Sequence, residues 1–270
     1  MTTTQISSTV EVAGFRLLRP CGVQPRQPLF VFLPGMDGSG LLQQQQAEYL
    51  AEAFDVRCLQ MPRDDRSSWD QMAQTVTKLV QQELAGNKRP VYLCGESFGG
   101  CLALKTLVRS PQLFDSLILI NPASSFRHHA WMSWSAQITR WIPELLYPAS
   151  CVGLLPFLAS LDRLSTQSRQ ALLRAMNAVT QRSSIWRIAL LQNFGIAEVE
   201  YQRITQPTLL IASRGDRLLP SLREADRLSQ HIPHAKTHIL RQSGHACLLE
   251  NGVNLYEILQ AYHVVPERQA

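Results

Sequence analysis

The chain has 270 residues, of which 45% are hydrophobic and only 17% charged, with a formal net charge of +5. That length and apolar content suit one large α/β domain, or one carrying an insertion, with a sizeable core. The positive excess is spread as single Arg and Lys residues, which excludes a basic block of nucleic-acid type. No apolar run is long enough to span a bilayer.

Taken in chain order, residues 1–10 are polar and hold no Arg or Lys, which argues against a secretory leader. Residues 9–24 read as an irregular β-hairpin on Val10, Val12, Phe15 and Leu17, ended by Pro20 and Gly22. Residues 29–33 are continuously apolar, as in a strand covered on both faces. A Gly-rich loop follows from Pro34 to Gly40, then a predicted helix over 41–54 and a strand over 56–61. The spacing of Met72, Val76, Leu79 and Val80 predicts a helix over 69–85. A third strand over 91–94 runs into Gly95, a helix covers 98–108, and a fourth strand at 117–120 is closed by Asn121-Pro122.

The pattern then changes. Residues 126–203 give no strand signal, only helical segments, and hold four of the five tryptophans, among them Trp131, Trp134 and Trp141. Strand spacing resumes at 208–212, followed by a helix over 222–231, a strand over 237–240 and a helix over 253–261. Alternating buried strands and helices on both sides of one helical insertion predict an α/β fold with a mostly parallel sheet and helices on both faces. The expected division is a core of 1–125 and 204–270 with 126–203 as a helical lid. Arg163, Arg169, Arg174, Arg182 and Arg187 of that lid read as a solvated face, with a membrane-facing patch as the alternative. The six cysteines show no CxxC pairing and several lie in apolar runs, so a reducing cytoplasmic interior is expected.

The chemistry concentrates at strand ends. Gly95-Glu96-Ser97-Phe98-Gly99-Gly100 fits G-x-S-x-G between a strand and a helix, the context of a nucleophile elbow in an α/β-hydrolase fold. A serine hydroxyl needs a base. His245, His238 and His231 compete, and His245 in Ser243-Gly244-His245 satisfies the order Ser, acid, His. Asp216, just past the strand at 208–212, is the candidate acid, since the same place after the preceding strand holds Asn121. The oxyanion donors expected are the backbone N–H groups of Phe98 and Met36, with Asp37 as a further candidate. His231, His234 and His238 could suggest a metal, but Pro233 breaks the helix that would align them. No metal, cofactor or nucleic-acid partner is expected. Trp131, Trp134, Trp141 and Asp37 are the candidate substrate contacts.

Four segments carry a resemblance: Leu33–Gly40, Gly95–Leu104, Asn121–Phe126 and Ser243–Leu255. Together they resemble the hydrolase part of the phytyl ester synthase and diacylglycerol acyltransferase-like proteins of plastids and their cyanobacterial relatives. That resemblance implies lipid or phytyl-type ester substrates, acyl transfer to an alcohol as well as hydrolysis, and peripheral contact with a thylakoid-type membrane. The plastid proteins also carry an acyltransferase-like part with an HxxxxD motif. No His here has an Asp five residues later. A thioesterase, a small-ester esterase and a non-catalytic lipid-binding protein remain as alternatives on the same scaffold.

Overall fold

The computed structural model describes residues 8–128, 141, 143 and 146–265. The hairpin β1 (Ser8–Val12) and β2 (Phe15–Leu18) opens the chain, followed by β3 (Leu29–Leu33), α1 (Gln44–Leu50), β4 (Asp55–Gln60) and α2 (Trp69–Glu83). Next come β5 (Val91–Glu96), α3 (Phe98–Arg109) and β6 (Ser116–Ile120). Among the described residues the helices before the next strand include α4 (Tyr147–Leu158), α5 (Thr166–Ala178), α6 (Gln181–Gln192) and α7 (Glu198–Gln202). The chain closes with β7 (Thr208–Ser213), α8 (Ser221–His231), β8 (Ala235–Leu240) and α9 (Leu255–Ala261).

The strands form one sheet in the order β1-β2-β4-β3-β5-β6-β7-β8. From β4 to β8 every pairing is parallel, and the hairpin adds antiparallel pairings at one edge. Strands β3, β6 and β7 are buried along their whole length, which is why they read as unbroken apolar runs. Side chains alternate between the two faces. Leu29, Val31 and Leu33 join a core shared with Met72 and Val76 of α2, Leu102 of α3 and Leu228 of α8. Phe30 and Phe32 join the opposite core with Leu50 of α1 and Leu259 of α9. Helix α2 begins where the sequence specifies it, at a capping box in which Ser68 accepts from Gln71 N–H and Gln71 accepts from Ser68 N–H.

Three expectations are corrected. The helix expected over 41–54 is only Gln44–Leu50, because the Gln43 side chain turns inward to donate to Glu96 at 2.9 Å and residues beyond 50 turn into β4. Strand β5 runs two residues further than its apolar run, since Gly95 and Glu96 still pair with Leu119 and Ile120. The insertion's arginines are not one solvated face. Arg169, Arg174 and Arg182 are exposed, but Arg163 pairs with Glu250 and Arg187 is only 1% exposed. No helix among the described residues is long and apolar enough to cross a membrane.

The N-terminus of α3 lies against the end of β3 with no room for side chains. A Cβ on Gly99 would sit 2.0 Å from the Leu33 carbonyl oxygen, and one on Gly95 would sit 2.3 Å from the Gly99 carbonyl oxygen. Both obstacles are backbone and cannot swing aside. Gly99→Ala should therefore lower stability by about 3 kcal/mol or more, read as a fall in denaturant midpoint. A melt superimposable on the parent's would mean that this contact can relax.

Candidate active site

Ser97 stands at the sharp turn from β5 into α3 with φ 54° and ψ −114°, a left-handed backbone that a non-glycine residue adopts only under constraint. The constraint is visible. Ser97 N–H donates to Ile120 O at 2.9 Å, and Ser97 O accepts from Gly100 N at 3.0 Å and Ala123 N at 3.1 Å. Gly95 and Gly99 supply the close approach. The turn places the hydroxyl at the N-terminal end of α3, where unpaired N–H groups favour negative charge.

The end of β7 delivers Asp216 and the loop after β8 delivers His245. His245 Nε2 lies 2.8 Å from Ser97 Oγ, and His245 Nδ1 lies 2.7 Å from Asp216 Oδ2. Asp216 also accepts from the Leu218 and Leu219 amides, each at 2.8 Å, and from the Ser221 hydroxyl. Burial works to raise the Asp216 pKa, but the imidazole and these hydrogen bonds hold it below the usual carboxylate range. An ionised Asp216 accepts from Nδ1–H, which leaves Nε2 to accept from the Ser97 hydroxyl. Burial works to lower the His245 pKa, yet the charge and hydrogen bond of Asp216, with Glu96 nearby, raise it above its ordinary value. The arrangement can move a proton off Ser97 and hold the imidazolium that results. Of the competing histidines, His231 bonds Arg227 O and Glu198, and His238 packs edge-on against Tyr262.

The loop after β3 faces Ser97. A Cβ on Gly35 would stand 3.7 Å from Ser97 Cβ. Among the described residues neither the Met36 nor the Phe98 amide donates within the protein, as an oxyanion donor requires. Asp37 is engaged otherwise, its carboxylate accepting from the Ser39 amide at 2.9 Å and from the Ser39 hydroxyl. Beside it an open groove of about 340 Å³ is lined by Arg16, Leu41, Gln60, Met61, Pro62 and Arg63, and by none of Ser97, His245 and Asp216. Trp141 is 83% exposed and so lines no buried pocket. Trp131 and Trp134 lie outside the described residues.

Sequence reasoning missed three supports. Arg187, on α6, donates to Met36 O at 2.5 Å, and its guanidinium lies 5.9 Å from the centre of the Phe98 ring. It thus touches both residues whose amides are the oxyanion candidates. Its sequence signal is its place in the buried stripe Ser184, Arg187, Ile188, Leu191. Asn121, passed over as an uncharged acid position, donates to the His245 carbonyl at 2.8 Å and to Ser213 Oγ at 2.9 Å, and accepts from Ser213 N at 2.8 Å. Glu250 accepts from Gly244 N at 2.7 Å and from Arg163 Nε at 3.0 Å, joining the His245 loop to the insertion.

The profile of the α/β hydrolase fold family matches residues 28–252. Phytyl ester synthases 1 and 2 of Arabidopsis thaliana chloroplasts are 30% and 31% identical to the chain over 257 and 269 residues. Those alignments cover 86% and 89% of this chain but 36% and 38% of the relatives, so the chain spans well under half their length. An esterase from Exiguobacterium antarcticum superposes with a TM-score of 0.75, covering 93% of this chain and 96% of that one. At 18% identity it attests the fold alone.

One buried group stands outside the Ser–His–Asp line. Glu96 is 8% exposed, and burial raises its pKa to about 7, with His245 lowering it and Asp37 raising it further. A carboxyl that ionises near 4.5 when unfolded but near 7 when folded makes folding less favourable as pH rises between those values. Above that window the loss is constant. Glu96→Gln should leave stability at about pH 4 nearly unchanged and raise it by up to about 3 kcal/mol at about pH 8. Equal effects at both pH values would show that Glu96 ionises as an ordinary surface acid does.

Proposed function

The chain belongs to the α/β hydrolase fold family, and on that premise we propose that it is a serine hydrolase of carboxylic esters working through an acyl-Ser97 intermediate. The observation that carries this reading is the unbroken line from Ser97 Oγ to His245 at 2.8 Å and on to Asp216 at 2.7 Å. In the proposed sequence Ser97 Oγ attacks the ester carbonyl carbon as its proton passes to His245 Nε2. The tetrahedral oxyanion takes hydrogen bonds from the Phe98 and Met36 amides, each worth roughly 3 kcal/mol in the transition state. Collapse breaks the carbon–oxygen bond to the alcohol, which leaves with the proton from His245. Water, or an acceptor alcohol, then gives its proton to His245 and attacks the acyl carbon, releasing Ser97 with an acid or a new ester.

The substrate class proposed is a long-chain lipid or phytyl-type ester. Its support is the identity with phytyl ester synthases. Residues 126–203 act in this reading as a cap on the site. Two anchors favour that role: Ala246 N donates to Leu158 O at 2.6 Å beside His245, and Arg187 holds the loop of Met36.

Ser97→Ala should lower kcat/KM on a chromogenic ester by about 10⁴-fold or more, since members of such a line act as a unit. A fluorophosphonate should label the parent at Ser97 and leave the variant unlabelled. Mass spectrometry of Ser97 after incubation with mixed lipid esters would identify the acyl group held. A Ser97→Ala variant that keeps most of the parent's turnover would remove Ser97 from the mechanism.

A further inference from the structure

Helix α4 differs from its neighbours. Its sequence, YPASCVGLLPFL, contains no charged residue and does not divide into an apolar and a polar side. Leu155 is buried in a small core with Leu164, Leu172 and Leu249. Its outer side is a stripe at helical spacing, Val152 and Pro156 beside Gly153 and Phe157, all exposed. Val152 is 53% and Phe157 51% exposed, with Leu146, just before the helix, at 54%. A water-facing helix ordinarily carries polar side chains there, and a contiguous apolar stripe marks an interaction surface.

The charge of the same region indicates the partner. Residues 126–197 hold seven arginines, no lysine and two acids, so this stretch accounts for the whole net charge of +5 and the remainder of the chain is neutral. Arg127, Arg169, Arg174 and Arg182 of this stretch are exposed. An apolar stripe in a segment of positive net charge matches a surface that is apolar within and anionic outside. Twelve residues of helix reach only about 18 Å, far short of a bilayer's hydrocarbon core. The helix can therefore lie in the interface but not cross it.

We propose that α4 seats the protein on an anionic lipid surface, with Val152 and Phe157 in the headgroup–acyl boundary and the insertion's arginines against the lipid phosphates. This goes beyond the reading of Ser97 and does not rest on it. It does join the site, because Leu158 at the end of α4 bonds the amide next to His245.

The test is flotation of the full chain carrying Ser97→Ala, so that no lipid is consumed, with vesicles of phosphatidylcholine alone or enriched in phosphatidylglycerol. The chain should float with the anionic vesicles, far less with the neutral ones, and less as salt rises. Val152→Glu with Phe157→Glu should weaken binding about tenfold or more, as should Arg169→Glu with Arg174→Glu and Arg182→Glu. The same surface changes made on the active chain should keep turnover of a water-soluble short-chain ester, which reports an intact fold. The proposal is overturned by absence of flotation, by equal flotation with neutral vesicles, or by binding that Val152→Glu with Phe157→Glu leaves unchanged. It is also overturned if light scattering finds a dimer that those two changes dissolve, since a second copy would then cover the stripe.

Discussion

The site depends on one steric fact: two backbones, the start of α3 and the end of β3, approach so closely that only hydrogen atoms fit between them. Gly99 makes that approach, abutting the Leu33 and Pro34 carbonyl oxygens, and Gly95 makes a second one within the turn, against the Gly99 carbonyl. The loop of Met36 begins there, so the same contact that bends the chain at Ser97 brings the second candidate oxyanion donor opposite the first. Holding a serine at positive φ costs on the order of 1–3 kcal/mol. The parallel sheet and α3 offset it through the hydrogen bonds at the Ser97 N–H and C=O. The strained backbone of Ser97 and the placing of the Met36 loop opposite it are thus consequences of one packing requirement.

The sequence makes the sheet legible because its strands are parallel and buried. Leu29–Leu33 and Thr208–Ser213 have no solvent face, so they read as apolar runs bounded by turn residues. The order of Ser97, Asp216 and His245 is legible for a related reason: each follows a strand that ends at the same edge of the sheet. What stays hidden is held by contacts between distant residues. Nothing local to Asn121 tells that its amide reaches the carbonyl of His245, or that Gln43 turns inward to Glu96 and shortens α1. Arg187 misleads because Arg is usually solvated. Only its place in the buried stripe of α6 betrays it, and its partners come from loops over a hundred residues earlier.

Those hidden contacts tie the insertion to the site at two places. Residues 158–164 meet the His245 loop through Leu158 O, Glu250 and Arg163, and a Cβ on Gly244 would lie 2.8 Å from Ser160 N. Arg187 meets the opposite wall through Met36 O. The first tie positions His245; the second positions the loop of Met36. A displacement of α4 or α6 large enough to break either tie would disturb the geometry around His245 or Met36. These helices therefore belong mechanically to the site.

Charge around His245 follows the same logic of shared constraint. Asp216 faces Nδ1 directly and is stabilised as an anion by two amides and a hydroxyl, so its charge is held in place at little cost. Glu96 acts on His245 through space, and among the described residues its carboxylate accepts a side-chain hydrogen bond from Gln43. Burial penalises both carboxylates, but the imidazole and hydrogen bonds at Asp216 outweigh it, whereas at Glu96 burial prevails, and that difference separates their titrations. Asp216 stays ionised while Glu96 takes up a proton near neutrality. Below that point one anion faces the imidazole; above it there are two, and the second favours imidazolium. The basicity of His245 is thus set by Asp216 and trimmed by Glu96, a residue fixed beside Ser97 by the same turn.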